Sequence, residues 1–253
     1  MLLVPAIVGL LFLILPLAGL LARAPWKTFG HRLGEPGVLT ALRLSLETGV
    51  ITTAVCLVLG IPVAFLLART TFPGKRLVRA LVTLPVVLPP VVGGVALFTA
   101  LGRTGIVGQW MYKWWGYSLP FTTTAVVLAQ TFVAMPFLIL AVEGALRGAD
   151  SRYEEAAATL GASRWTAFRR ITLPMVMPGV GAGAVLCFAR ALGEFGATIT
   201  FAGNFPGVTQ TMPLEIYQAF ENDPFTAIVL SLLLVAVSLI ILITLRGRWL
   251  DSA

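Results

Sequence analysis

Charged side chains are scarce in this sequence: Asp, Glu, Lys and Arg make up 11% of its 253 residues, where a soluble domain carries about 25%. His31 is the only histidine, so an H-E-x-x-H zinc site is excluded, and neither a metal site nor a bound cofactor is expected. The two cysteines, Cys56 and Cys187, both lie inside apolar runs. They form no disulfide framework and read as small hydrophobes. A phosphate-binding G-x-x-x-x-G-K-[ST] loop is absent, since Gly74-Lys75 lacks the upstream glycine and the following Ser or Thr. This chain is therefore not expected to hydrolyse ATP. The apolar runs also lack a paired-Asp or His-rich constellation, which leaves an intramembrane enzyme without nucleophile, base or metal ligands and no catalytic residue to name.

What the sequence has instead is oil: 58% of its residues are hydrophobic and its mean hydropathy is +0.92. A bilayer core of ~30 Å takes about 20 apolar residues per crossing. Six runs have that character: Leu2 to Leu21, Leu39 to Ala68, Leu77 to Leu101, Phe121 to Ala145, Met175 to Gly196 and Phe225 to Leu245. The expected fold is all-α, a polytopic membrane domain spanning residues 1–253. The second run is long for one crossing and is expected to tilt or project. The third carries Pro85, Pro89, Pro90, Gly93 and Gly94, so it is expected to be bent or broken and to satisfy its freed backbone groups inside the protein. Ala22-Arg23-Ala24 mimics a signal-peptide cleavage site after the first run. No Lys or Arg precedes that run, however, and its apolar stretch exceeds the usual ~7 to 15 residues, so a retained helix is the reading.

The net charge of +7 does not call for nucleic acid, because the basic residues fall in short clusters between apolar runs, as the positive-inside rule requires. With the N-terminus inside and loops alternating, the cytoplasmic segments hold Arg69, Lys75, Arg76, Arg79, Arg147, Arg152, Arg164, Arg169, Arg170, Arg246 and Arg248. The opposite side holds only Arg23, Lys27, Arg32, Arg43, Arg103 and Lys113. Both termini are then expected in the cytoplasm, together with the stretch between the fourth and fifth runs.

That stretch reads EEAAATLGASRWTAFRRITLP, Glu154 to Pro174. Ser151 and Glu154 have the spacing of a capping box, and Glu154 and Glu155 would occupy the dipole-favoured first turn. Gly161 permits a left-handed helix end, and Ser163 can cap a second short helix. Pro174 would start the fifth span where no amide donor is needed. An amphipathic linker lying on lipid headgroups satisfies the same pattern.

Glu155-Ala156-Ala157, Gly161, Ile171, Leu173 and Pro174 reproduce the E-A-A-x(3)-G-x(9)-I-x-L-P signature at full spacing. In this the chain resembles permease subunits of ABC importers. The resemblance implies a type I importer transmembrane fold and makes residues 151–173 a cytoplasmic coupling loop. It also implies two copies of a separate ATPase that binds ATP and Mg, a second copy of this chain, and an extracytoplasmic binding protein. FPGKRLVRALVTLPVVLPPVVGGVAL (72–97) and RALGEFGATITFAGNFPGVTQTMPLEIY (190–217) resemble the molybdate and tungstate branch of these permeases. Sulfate and thiosulfate permeases share the first segment and the ALGE core of the second. The implied cargo is an oxyanion, molybdate before sulfate. A different class, an intramembrane enzyme or assembly factor, would leave the docking signature idle.

Arg190 and Glu194 are four residues apart in the fifth run, where a charge is costly and ordinarily paired. They fit a structural ion pair, or a polar path for a dianion. Thr198, Thr200 and Asn204 follow as neutral donors for an oxyanion in transit, although small residues also serve close helix packing. Arg43 and Glu47 read as a structural pair at the outer end of the second span, and Pro213 to Phe220 as a short outer helix facing the binding protein.

Overall fold

In the third apolar run each of Leu88 and Pro89 precedes a proline, which pushes its backbone out of the α region. Both are extended in the computed structural model, with ψ of 136° and 131°. The structure describes residues 3–150 and 152–249, and every regular element among them is helical. In chain order these are α1 (Leu3–Arg23), α2 (Phe29–Leu33), α3 (Pro36–Arg69), α4 (Lys75–Val87), α5 (Pro90–Leu101), α6 (Gly108–Trp115) and α7 (Thr123–Gly148). After it come α8 (Arg152–Thr159), α9 (Arg164–Ala167), a π-helical turn (Phe168–Thr172), α10 (Leu173–Leu192), α11 (Gly196–Phe201), α12 (Met212–Asn222) and α13 (Pro224–Trp249). Five stretches are long and apolar enough to cross a bilayer, and α4 with α5 makes a sixth that bends by 118°.

The centre of the bundle is α7, whose apolar window is 61% buried, against none for α1. Helix α3 lies beside it in parallel: Thr52 Oγ1 donates to Gln130 Oε1 at 3.0 Å, Gly60 faces Leu138 and Ile139, and Arg69 Nη2 reaches the Ala149 carbonyl at 3.4 Å. Helix α10 runs antiparallel, with Gly179 against Ala145 and Gly183 against Ala141. The C-termini of α3 and α7 thus share one end of the bundle with α8. Between α3 and α7 the chain must return, and the bent pair does so: Arg79 of α4 pairs with Glu143, Gly93 of α5 faces Phe132, and Leu101 packs near Ala125. Broken or not, α4 and α5 together make one traverse.

Cys56 and Cys187 are fully buried in the apolar cluster that joins α3, α7 and α10. At the far end, Met212 N–H donates to Ser45 Oγ at 2.7 Å and anchors α12, the outer helix expected from the sequence, to α3. Arg32 of α2 pairs with Asp223 ahead of α13, and this guanidinium holds the Asp223 carboxyl down to about 2. A depressed carboxyl contributes its stability above its unfolded pKa, so this clasp persists at neutral pH and is lost as pH falls towards 2. Trp110, Trp114 and Trp115 are exposed on α6 at the same end, as the aromatic belt of a membrane–water interface requires. Arg43 and Glu47 form an exposed ion pair at 2.6 Å on α3.

Gly94 marks the tightest approach, where a methyl built on it would stand 1.7 Å from Thr200 Oγ1 and 2.8 Å from the Ala197 carbonyl of α11. Gly94→Ala must separate α5 from α11 and is expected to cost about 1–3 kcal/mol. Gly144→Ala, with nothing within 4 Å, removes a mid-helix glycine and is expected to be neutral or stabilising. Thermal unfolding of the two purified variants in one detergent checks the contrast.

Candidate functional site

Helix α7 stops at Gly148, and the turn that follows is capped by Asp150, whose Oδ1 accepts from the Arg152 N–H at 3.0 Å. Ser151, the first half of the expected capping box, lies outside the described residues. The second half, Glu154, is engaged elsewhere: its Oε1 accepts from Arg69 Nη2 of α3 at 3.1 Å and from Thr172 Oγ1 of the π turn at 2.8 Å. One carboxylate therefore ties α8 to the end of α3 and to the root of α10.

The end of α8 is a Schellman turn. Ala162 N–H donates to the Ala157 carbonyl and Gly161 N–H to the Ala158 carbonyl, both at 3.0 Å, and Gly161 takes φ +82°. This is the left-handed position that glycine fills without strain. Ser163 then caps α9, its Oγ accepting from the Thr166 N–H at 3.2 Å. The sequence reading of helix, sharp turn and helix is observed, but the start of the span differs. No break separates α9 from α10: Ala167 and Leu173 are both helical, and Leu173 N–H donates to the Phe168 carbonyl across the π turn. Pro174 therefore sits inside a continuous helix from Arg164 to Leu192. Proline lacks the donor and would clash with the carbonyl four residues back, and one widened turn just ahead of it relieves that clash.

Of the signature residues, Glu155, Ala156, Gly161 and Pro174 are exposed, Ala157 is buried, and Ile171 and Leu173 are half-buried. Around them Tyr153, Leu160 and Trp165 are left exposed, Leu160 at 88%. A short helix pair held by Glu154 thus presents an apolar, unpartnered face at the end of the bundle. Exposed apolar side chains of this kind suit contact with a partner or with the lipid surface.

The second candidate set lies at the other end of α10. Arg190 is about 24 Å along the helix from Pro174 at 1.5 Å per residue, near the far end rather than mid-span. Helix α10 ends at Leu192, so Glu194 is not on the same helix as Arg190 but in the break before α11. It is 1% exposed; Oε1 accepts from the Ala197 N–H at 2.8 Å at the α11 N-terminus, and Oε2 stands 3.0 Å from Arg190 Nη2. That contact is off the N–H direction, so Oε2 accepts no hydrogen bond. Thr198 is fully buried with an unpartnered hydroxyl. Thr200 donates to the Gly196 carbonyl at 2.9 Å and packs against Gly94. Asn204 Nδ2 donates to Gln218 Oε1 at 3.0 Å. The structure brings these five residues into one segment, with Thr200 and Asn204 already engaged.

Sequence reading missed Glu143. It is 5% exposed and bridges Arg79 of α4 and Arg147 of its own helix. Its signal was a lone carboxylate inside the fourth apolar run, four residues before Arg147.

Residues 57–252 match the family model described as binding-protein-dependent transport system inner membrane component. The chain belongs to that family. It is 49% identical over 244 residues to the molybdenum transport system permease protein ModB of Mycobacterium tuberculosis, covering 96% of this chain and 92% of that protein. It is 35% identical over 248 residues to the sulfate transport system permease protein CysT of Escherichia coli, covering 94% and 88%. Among solved structures, a bacterial ABC transporter involved in the import of alginate superposes with a TM-score of 0.78 at 18% identity, over 99% of this chain and 94% of that one. The fold is that of type I ABC importer transmembrane domains, and the family member is a multi-pass membrane transport subunit, not an enzyme.

Glu154→Ala leaves Arg69 and Thr172 without their shared acceptor. It is expected to loosen the loop by about 1 kcal/mol, since the carboxylate is partly solvated. Limited proteolysis should show cleavage near 160–163 several-fold faster than in the parent, with the bundle intact.

Proposed function

We propose that this chain is the permease of an ATP-driven molybdate importer, with tungstate as a second cargo, in the cytoplasmic membrane. Two copies form the path, an ATPase subunit docks on each loop, and an extracytoplasmic binding protein delivers the oxyanion near α12. Residues 151–173 are the coupling loop, in which Glu155, Ala156, Ala157, Gly161, Ile171, Leu173 and Pro174 shape the docking face and its junction with the span. The loop end is cytoplasmic, and so are both termini.

One observation carries the cargo: identity over nearly the whole chain is 49% to the molybdenum permease and 35% to the sulfate permease. The coupling reading is supported by the exposed Tyr153, Leu160 and Trp165 on a loop tied to α3 and α10 through Glu154. Near-complete switching between two access states needs about 5.5 kcal/mol of differential binding. Nucleotide closure of the two ATPases would supply it through the loops. Arg190, Glu194, Thr198, Thr200 and Asn204 are proposed beside the path, with Arg190 and Glu194 fixing the break between α10 and α11 rather than holding the anion, since a tight cationic site would retain it.

Uptake of radiolabelled molybdate by vesicles carrying the full transporter is expected to survive an equal concentration of sulfate. Half-inhibition at parity would reassign the cargo to sulfate. Gly161→Asn, which tolerates the left-handed region, is expected to keep most uptake. Gly161→Val costs about 1–3 kcal/mol at that turn and should abolish uptake with insertion unchanged. Equal uptake by the two variants would remove the coupling role.

A further inference from the structure

A cavity of about 510 Å³ opens at the loop end between the α3–α4 turn and the last turn of α7. Phe72, Gly74, Lys75, Arg76, Arg79 and Arg147 line it. Four cations therefore meet there. Among the described residues, the one carboxylate in contact with them is Glu143, which Arg79 and Arg147 share. Lys75 Nζ is held over the turn by the Thr70 carbonyl at 2.7 Å, while Arg76 is exposed and forms no ion pair among the described residues. The thirteen-residue helix α4 starts at this point, and Gly74 at its N-cap offers no side-chain acceptor to the first-turn amides.

Positive charge on the cytoplasmic side needs no cavity shared by four cations. Four cations around one shared carboxylate call for an acceptor with several oxygens and negative charge, and arginines beside a helix N-terminus suit a tetrahedral oxyanion. Helix α4 indicates where that oxyanion comes from. Leu77, Leu81 and Leu84 form one exposed stripe along it, at the spacing of a single helix face. The stripe starts beside the cavity and suits acyl chains.

We propose that this cavity binds the phosphate of an anionic phospholipid, whose chains lie along the leucine face of α4. Headgroup binding there pins α4 to the inner leaflet interface, and α4 is the segment that Glu143 joins to the central helix. A free oxyanion shares the headgroup chemistry and is separated from it by the test.

Native mass spectrometry of the purified full-length protein is run with phosphatidylglycerol and phosphatidylcholine as probes. The parent is expected to retain phosphatidylglycerol about fivefold or more over phosphatidylcholine. Lys75→Gln with Arg76→Gln breaks no ion pair and should bring the two lipids to parity, while Arg169→Gln with Arg170→Gln, exposed cations outside the cavity, should keep the preference. Unchanged preference in the cavity variant, or equal loss in both, would overturn the site. Inorganic phosphate and molybdate are the second arm. Failure of either to displace bound phosphatidylglycerol supports the lipid, and saturable molybdate binding lost in the cavity variant, without any lipid preference in the parent, would overturn it in favour of a free oxyanion.

Discussion

Hydrocarbon offers no hydrogen bonds, so every departure from a regular helix in this bundle has to find its partners inside the protein. Three of these departures are each held by a specific contact. At Leu88 to Pro90 the chain turns by 118°, and α5 settles on α11 through Gly94. At Phe168 to Thr172 a π turn makes room for Pro174, while Thr172 finds Glu154. At Gly193 to Phe195 the Glu194 carboxylate takes the Ala197 amide. The long helices α3, α7 and α10 pack by close contact at Gly60, Gly179 and Gly183, which is how helices associate when lipid is as apolar as leucine.

The same constraint makes the loop a mechanical part of the bundle. Because α9 runs through the π turn into α10 without interruption, a push on the loop, as the proposed function has it, would reach a rod from Arg164 to Leu192, roughly 42 Å at helical rise. The Glu154 carboxylate shares the load with α3. At the other end of the rod sit Arg190, the break and α11, which abuts α5 at Gly94 and Thr200. A rigid connection from the proposed docking face to the broken helix is what alternating access between two packed states would use.

Much of this was legible in the sequence because it rests on composition and local stereochemistry. Apolar runs gave the spans, Pro89 and Pro90 the broken helix, Gly161 and Ser163 the turn and its cap. What was not legible depends on partners distant in the chain. Glu154 looked like half of a local capping box, yet Arg69 and Thr172 claim it. Spacing placed Arg190 and Glu194 on one helix face, but Gly193 ends the helix between them and the pair spans a break. Pro174 read as a helix start because the sequence gives no sign of a π turn. Glu143 passed unnoticed because its first partner, Arg79, lies 64 residues away.

Pairing accounts for nearly all the acid at the loop end, and the exception bears on function. Glu143 has Arg79 and Arg147, Asp150 has Arg152, and Glu154 has Arg69. Glu155, one residue on, is exposed and has no cation among the described residues. A carboxylate adjacent to α3 and α10 would be costly to leave unpaired, whereas one turned to water costs little. Its neighbours Leu160 and Trp165 are equally unsatisfied in the isolated chain. An exposed carboxylate beside exposed apolar side chains, where the other acids of this end are paired, is the composition of an interface with a hydrophobic centre and a polar rim, and it lies on the loop that Glu154 ties to α3 and α10.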